Sequence, residues 1–142
     1  MPHQVSVFAE NKPGKLNRVT EILGKNNINI RAITISDTGD YGIIKLLLDK
    51  PAEGNEYLQN AGIASTLVSI VAIIIDDTPG SLHKATSILS SKNVNVEDAY
   101  GFTIRGEDRA VFVFQVKDVH ATEKILKDAG FTIISDNELY YL

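Results

Sequence analysis

Two stretches of the 142-residue chain place chemically useful residue types at matching spacing: Glu10-Asn11-Lys12-Pro13-Gly14-Lys15-Leu16 and Asp76-Asp77-Thr78-Pro79-Gly80-Ser81-Leu82. A helix start reached through Pro-Gly presents backbone N–H groups and the positive end of a dipole, which suits an oxyanion. Glycine lets that backbone come close to a ligand. Asn29 and Asn95, at the start of the strand that follows each helix, bring an amide with two donors and an acceptor. The copies differ at one informative position, where Asn11 is neutral and Asp77 carries a charge that pairs with an ammonium and repels a carboxylate. Unequal sites are the expectation, with the ammonium end of a ligand near Asp77. The same residues also have ordinary uses, because Pro-Gly punctuates helix starts and Asn favours turns before strands.

Other chemistry finds little footing. No Gly-x-Ser-x-Gly elbow, Ser-x-x-Lys motif or phosphate loop is present, and adjacent carboxylates such as Asp76 and Asp77 on a strand face opposite ways. His3, His83 and His120 share no helix face or metal spacing, and no cofactor or metal is expected. With no cysteine there is no disulfide, thiolate site or thiol nucleophile. The chain reads as non-enzymatic.

These residues are positioned by a repeated unit. Pro13 and Pro79 lie 66 positions apart, and at that offset Gly14/Gly80, Leu16/Leu82, Thr20/Thr86, Ile22/Ile88, Leu23/Leu89, Asn27/Asn93 and Asn29/Asn95 also coincide. Farther on, Ala61-Gly62 matches Ala129-Gly130 at an offset of 68, so the second copy carries two extra residues in its hairpin. Gln4 to Ala9 alternates as a half-buried strand. Pro13 suits the first turn of a helix, whose apolar stripe is Leu16, Val19, Ile22 and Leu23. Ile28 to Ile35 and Tyr41 to Leu48 read as a hairpin around Asp37-Thr38-Gly39-Asp40. Tyr57, Leu58 and Ala61 mark a short helix capped by Gly62.

From Ile63 to Ile75 the pattern is continuously strand-like, with a kink expected near Val68-Ser69. The second copy repeats the order: Ile70–Asp76 strand, Pro79–Lys92 helix, Val94–Ile104 strand, Arg109–Lys117 strand, Val119–Ala129 helix, and Phe131–Leu142 strand, broken at Asp136-Asn137. Each unit is β-α-β-β-α-β, the ferredoxin-like arrangement, which makes the fold class α+β with two antiparallel sheets, each carrying its helices on one face. The expected domains are 1–68 and 69–142. Apolar residues of both parities, Phe112 and Phe114 against Val111 and Val113, predict that the helix-free face is covered too, by the other domain or another subunit.

The composition, 44% hydrophobic and 23% charged, is that of a globular protein. The longest apolar run, Ile70 to Ile75, is too short to span a bilayer. Met1 to Val7 enters a strand pattern rather than a leader, so a cytoplasmic address is expected. A net charge of −4 gives no electrostatic reason to approach nucleic acid or anionic lipid. Arg109-Ala110-Val111-Phe112-Val113-Phe114 faintly echoes an RNA-binding strand, but the lead-in is acidic and the register turns both phenylalanines toward the helices.

A βαββαβ unit with a Pro-Gly helix start and an Asn-x-Asn approach to the second strand resembles the ACT domain, a small regulatory module that typically binds amino acids. The residues that carry the likeness are Glu10 to Gly14 with Asn27-Ile28-Asn29-Ile30, and Asp76 to Gly80 with Asn93-Val94-Asn95-Val96. Over nearly its whole length the chain resembles free-standing proteins made of two ACT domains. The resemblance implies an effector where the first loop of one domain meets the second strand of another, held by Asn11, Gly14 and Asn29 in the first unit and by Asp77, Gly80 and Asn95 in the second. Pro13, Leu16, Ile30, Pro79, Leu82 and Val96 complete the candidate set. The apolar surface that a bare pair of units leaves open predicts a homodimer, and the resemblance implies a regulated partner enzyme or transporter. Some domains of this family bind nothing and only assemble chains, so a ligand-free adaptor is the alternative.

Overall fold

The computed structural model describes residues 2–10 and 12–142. Two compact units result, with main bodies running from His3 to Val68 and from Ser69 to Tyr140. The N-terminal unit is built from β1 (His3–Ala9), α1 (Lys15–Lys25), β2 (Ile30–Asp37), β3 (Gly42–Leu48), α2 (Pro51–Asn60) and β4 (Ala64–Ser69). The C-terminal unit comprises β5 (Val71–Asp76), α3 (Ser81–Ser91), β6 (Asp98–Thr103), β7 (Arg109–Gln115), α4 (Val119–Asp128), β8 (Thr132–Ile133) and α5 (Asp136–Tyr140). Their sheets have equivalent orders, β2-β3-β1-β4 and β6-β7-β5-β8. Both are the βαββαβ ferredoxin-like arrangement, each with its own helix-covered core.

Alternation decides which side chains enter those cores. Val5 pairs with Leu46 and Val7 with Ile44, which puts all four on the face that meets Val19, Leu23 and Leu58 of the helices. In the C-terminal unit Val71 pairs with Phe114 and Ile73 with Phe112, against Ala85, Leu89 and Leu126. The Phe112 and Phe114 rings stack at 6.4 Å within that core, so neither is an open platform for a nucleobase. Among the described residues no helix is long and apolar enough to cross a membrane.

All four major helices end in one device. In each, the residue after the C-cap adopts a left-handed conformation: Asn27, Gly62, Asn93 and Gly130. The following amide reaches back to the third-last helical carbonyl, as Ile28 N–H to Leu23 O (2.9 Å) and Val94 N–H to Leu89 O (2.9 Å) show. The first asparagine of each Asn-x-Asn segment is therefore a helix stop.

Several elements depart from the sequence pattern. The helix expected from Pro13 begins at Lys15, and that expected from Pro79 begins at Ser81. In both cases Pro-Gly forms a type II turn before the helix, with glycine at positive φ as its N-cap. β1 is buried on both faces, since Gln4 and Ser6 are as inaccessible as Val5 and Val7. Leu16, assigned to the apolar stripe, is 37% exposed. β4 and β5 are separated at Ile70, without the continuous strand from Ile63.

β6 starts only at Asp98, because Val94 and Val96 lean on the core from an irregular segment rather than joining the ladder. The final strand is two residues long and gives way to α5. At its start Glu138 accepts from the Ser135 amide at 3.3 Å. Leu139 and Tyr140 of this short helix are buried. On the faces turned away from the helices, Leu47, Ala72, Val111 and Val113 are also buried.

Candidate functional site

Type II turn geometry creates the chemically distinctive feature of each unit. Lys15 N–H donates to Lys12 O at 3.2 Å, closing Lys12-Pro13-Gly14-Lys15 with Gly14 at φ 92°. Ser81 N–H closes the second turn on Thr78 O at 3.2 Å with Gly80 at φ 86°. Proline fixes the first central residue, and only glycine takes the second without strain. The first carbonyls to receive intrahelical bonds are Gly14 O, from Arg18, and Gly80 O, from Lys84. A glycine N-cap has no side chain with which to cap the helix, and among the described residues none does so. The amides of Leu16 and Asn17, and of Leu82 and His83, thus lack an intrahelical acceptor and present donors with the helix dipole behind them.

Charged groups surround the first turn. Glu10 and Lys12 pair at 2.6 Å on the open surface. The Lys12 hydrogen bond and charge hold the Glu10 carboxyl below its ordinary range, and Glu10 in turn raises the Lys12 ammonium. A small cavity of about 80 Å³ beside the turn is lined by Lys12, Lys15 and Leu16 together with Ile35 of β2 and Ile44 of β3. Lys12, Lys15 and Ile35 were not singled out by sequence spacing; pairing between β2 and β3 brings Ile35 there. In the second unit the Asp77 amide donates to Asp108 O at 2.9 Å, fixing the loop to the β6–β7 turn while its carboxylate stays exposed. Asn11 lies outside the described residues.

The candidate residues fall into two groups within each unit. Pro13, Gly14 and Leu16 sit where β1 meets α1, whereas Asn29 and Ile30 sit at the far end of α1, where β2 begins. The eleven residues of α1 separate these groups by about 16 Å at 1.5 Å per residue. Pro79, Gly80 and Leu82 stand apart from Asn95 and Val96 in the same way. The Asn29 main chain is tied to Asp49, its N–H donating to Asp49 Oδ1 at 2.9 Å and its carbonyl accepting from the Asp49 amide at 3.1 Å. Asn95 and Val96 instead open onto a cavity of about 230 Å³ beside Thr86 and Ser90 of α3. One unit alone does not join its turn to its Asn-x-Asn segment.

Away from the turns, burial followed by the charges of Asp98 and Tyr140 pushes the Tyr100 phenol far above its usual range. Tyr140 belongs to α5, so this terminal helix lies beside the helix-free face that carries Tyr100. Among the described residues no three metal-ligating side chains cluster.

The model of the ACT domain pair family matches residues 1–142. No curated protein sequence matches the chain. Among solved structures, protein BT0572 from Bacteroides thetaiotaomicron is similar at 30% identity and a TM-score of 0.92, covering 99% of this chain and 96% of its own. The regulatory subunit of aspartate kinase from Thermus thermophilus, in its ligand-free form, shares the fold at 18% identity and a TM-score of 0.65, over 90% of this chain and 92% of its own. That from Thermus flavus does so at 18% identity and 0.59, over 89% and 91%. With the family model matched from end to end on two βαββαβ units, the chain belongs to the family of ACT domain pairs.

Proposed function

We propose that the chain is a non-catalytic regulatory protein that binds a small effector, an amino acid, beside its Pro-Gly turns and signals to a partner enzyme or transporter. The observation that carries this reading is the helix start of each unit, which has no side-chain cap among the described residues and whose first N–H groups suit a carboxylate, with the exposed Asp77 carboxylate next to one of them to receive an ammonium. Because the turn and the Asn-x-Asn segment of one unit are far apart, the complete site in this reading takes its second half from another unit. Asn29 or Asn95 then meets a turn that is not its own. Leu16 and Leu82, beside the turns, supply an apolar portion of the wall.

The aspartate kinase subunits that share the fold are named as regulatory, which supports assigning a signalling role. A homodimer completes the proposal. Ile33 and Ile35 of the edge strand β2 are 41% and 49% exposed, and Leu16 beside them is also open, which is costly for an unpartnered edge. The mechanism is a population shift: ligand stabilises one packing of the units, and the partner responds to that packing.

In the alternative reading the chain is a ligand-free assembly adaptor, in which Asn11, Asp77, Asn29 and Asn95 are structural. Calorimetric titration of amino acids separates the two. Asp77→Asn weakens binding and Asn11→Asp alters it in the opposite sense if ammonium recognition is right. Equal small changes, or no binding heat in the parent protein, would favour the adaptor.

A further inference from the structure

A second kind of cavity occurs at the same place in both units, on the other flank of the first helix from the Asn-x-Asn segment. In the C-terminal unit it measures about 260 Å³ and is lined by Ile74, Asp76, Ser81, Lys84, Gly130 and Phe131, with Arg109 at its rim. Its counterpart in the N-terminal unit, about 300 Å³, is lined by the repeat-equivalent Phe8, Glu10, Lys15, Arg18, Gly62 and Ile63. The cleft lies between the start of the first helix and the corner where the second helix turns into the last strand. Both copies keep an acid at the strand end, Glu10 or Asp76, and a base one turn into the helix, Arg18 or Lys84.

The two clefts differ in what remains free. In the N-terminal unit the Arg18 guanidinium crosses the cleft and donates from Nη2 to Ala61 O at 3.0 Å, and Glu10 is paired with Lys12. In the C-terminal unit the shorter reach of lysine leaves no such strap. Neither the Lys84 ammonium nor the Asp76 carboxylate has a hydrogen bond or ion pair with another side chain or backbone group among the described residues. Arg109 is steadied by Glu107, which accepts from its Nε at 2.8 Å and also from Nη2. Ser81 is nearly buried and exchanges a hydrogen bond with Thr78 at 2.7 Å.

We propose that the C-terminal cleft binds a small carboxylate carrying an amino or hydroxyl donor, and that the N-terminal cleft, whose Arg18 and Glu10 are already partnered, does not. Lys84 and the rim guanidinium of Arg109 hold the carboxylate, Asp76 accepts from the donor group, and Phe131 with Ile74 forms the apolar wall. The inference rests on the proposed effector reading only for the class of ligand; the location is different, so each can fail alone.

The test uses the full chain, isotopically labelled, with amide chemical shifts followed during titration by glycine, glycolate and acetate. Saturable shifts are expected at Gly130, Phe131 and Thr132, with none at Gly62 and Ile63. Lys84→Met weakens binding by about tenfold or more, the scale of a charge-assisted hydrogen bond. Glycine and glycolate bind more tightly than acetate, and Asp76→Asn removes that preference. Arg18→Lys releases Ala61 and supplies an ammonium, so Gly62 and Ile63 begin to respond. Absence of saturable shifts at Gly130 to Thr132 with all three probes overturns the proposal. Shifts confined to Asp77, Gly80 and Asn95 overturn it too, while leaving the effector reading standing.

Discussion

Asn27 and Asn93, at φ 58° and 56°, are the two non-glycine residues that the described chain holds in the left-handed region. Asparagine tolerates this conformation better than other side chains, and glycine better still. Asn27→Ala and Asn93→Ala should each lower the unfolding free energy by about 1–2 kcal/mol, while the Asn→Gly variants stay within about 0.5 kcal/mol of the parent. Urea titration reads both. The repeat of Asn-x-Asn was legible as spacing, but its division of labour was not, because φ is set by how the chain leaves the helix. Tyr100 offers a second residue-level prediction. Its phenol is held neutral by burial, so its folded pKa lies above the unfolded value near 10. Its contribution is therefore fully present below about pH 10 and is lost as pH rises beyond it, since the unfolded chain releases the proton first. Stability should fall with alkaline pH above that point, and Tyr100→Phe should flatten the slope; an unchanged slope would mean that another group carries it.

Periodicity places the elements except where local chemistry outranks the pattern. The run from Phe131 is apolar enough for a strand, yet it gives way to a helix at Asp136, where Glu138 turns back to accept from the Ser135 amide. Val94 and Val96 alternate like strand residues, but α3's terminal turn holds the segment off the ladder. The hairpins and both crossover helices were legible because turn glycines and apolar stripes agreed there. Close packing of α2 on β3 was not legible, and Gly54 exposes it. A Cβ at Gly54 would lie 2.5 Å from Leu48 Cδ1, a side chain with no solvent to move into. Helix propensity alone would make Gly54→Ala stabilising by about 1 kcal/mol, whereas overpacking costs about 1–3 kcal/mol. The clash should win, giving a net loss of stability in thermal or urea unfolding; a gain would show that Leu48 can repack freely.

At the scale of the whole molecule, duplication is what the sequence displayed most openly, through identities 66 positions apart, and the matching sheet orders follow from it. The candidate site was only half legible, since spacing identified the turns while their distance from Asn29 and Asn95 depends on which end of a helix each occupies. The exposed edge of β2 leads to a prediction about assembly. Ile33→Lys combined with Ile35→Lys should convert a dimer to a monomer in sedimentation equilibrium without unfolding it, and a parent protein already monomeric would contradict the homodimer. Thermal unfolding of the purified chain against each of the twenty amino acids shows whether a small effector regulates it. A ligand that binds only the folded state raises the melting temperature with concentration, by RT ln(1 + [L]/Kd) in free energy. Such a rise is expected for one or a few amino acids, reduced by Asp77→Asn. A well-folded protein whose melting temperature responds to none of them would contradict effector regulation and leave the ACT pair as an assembly module.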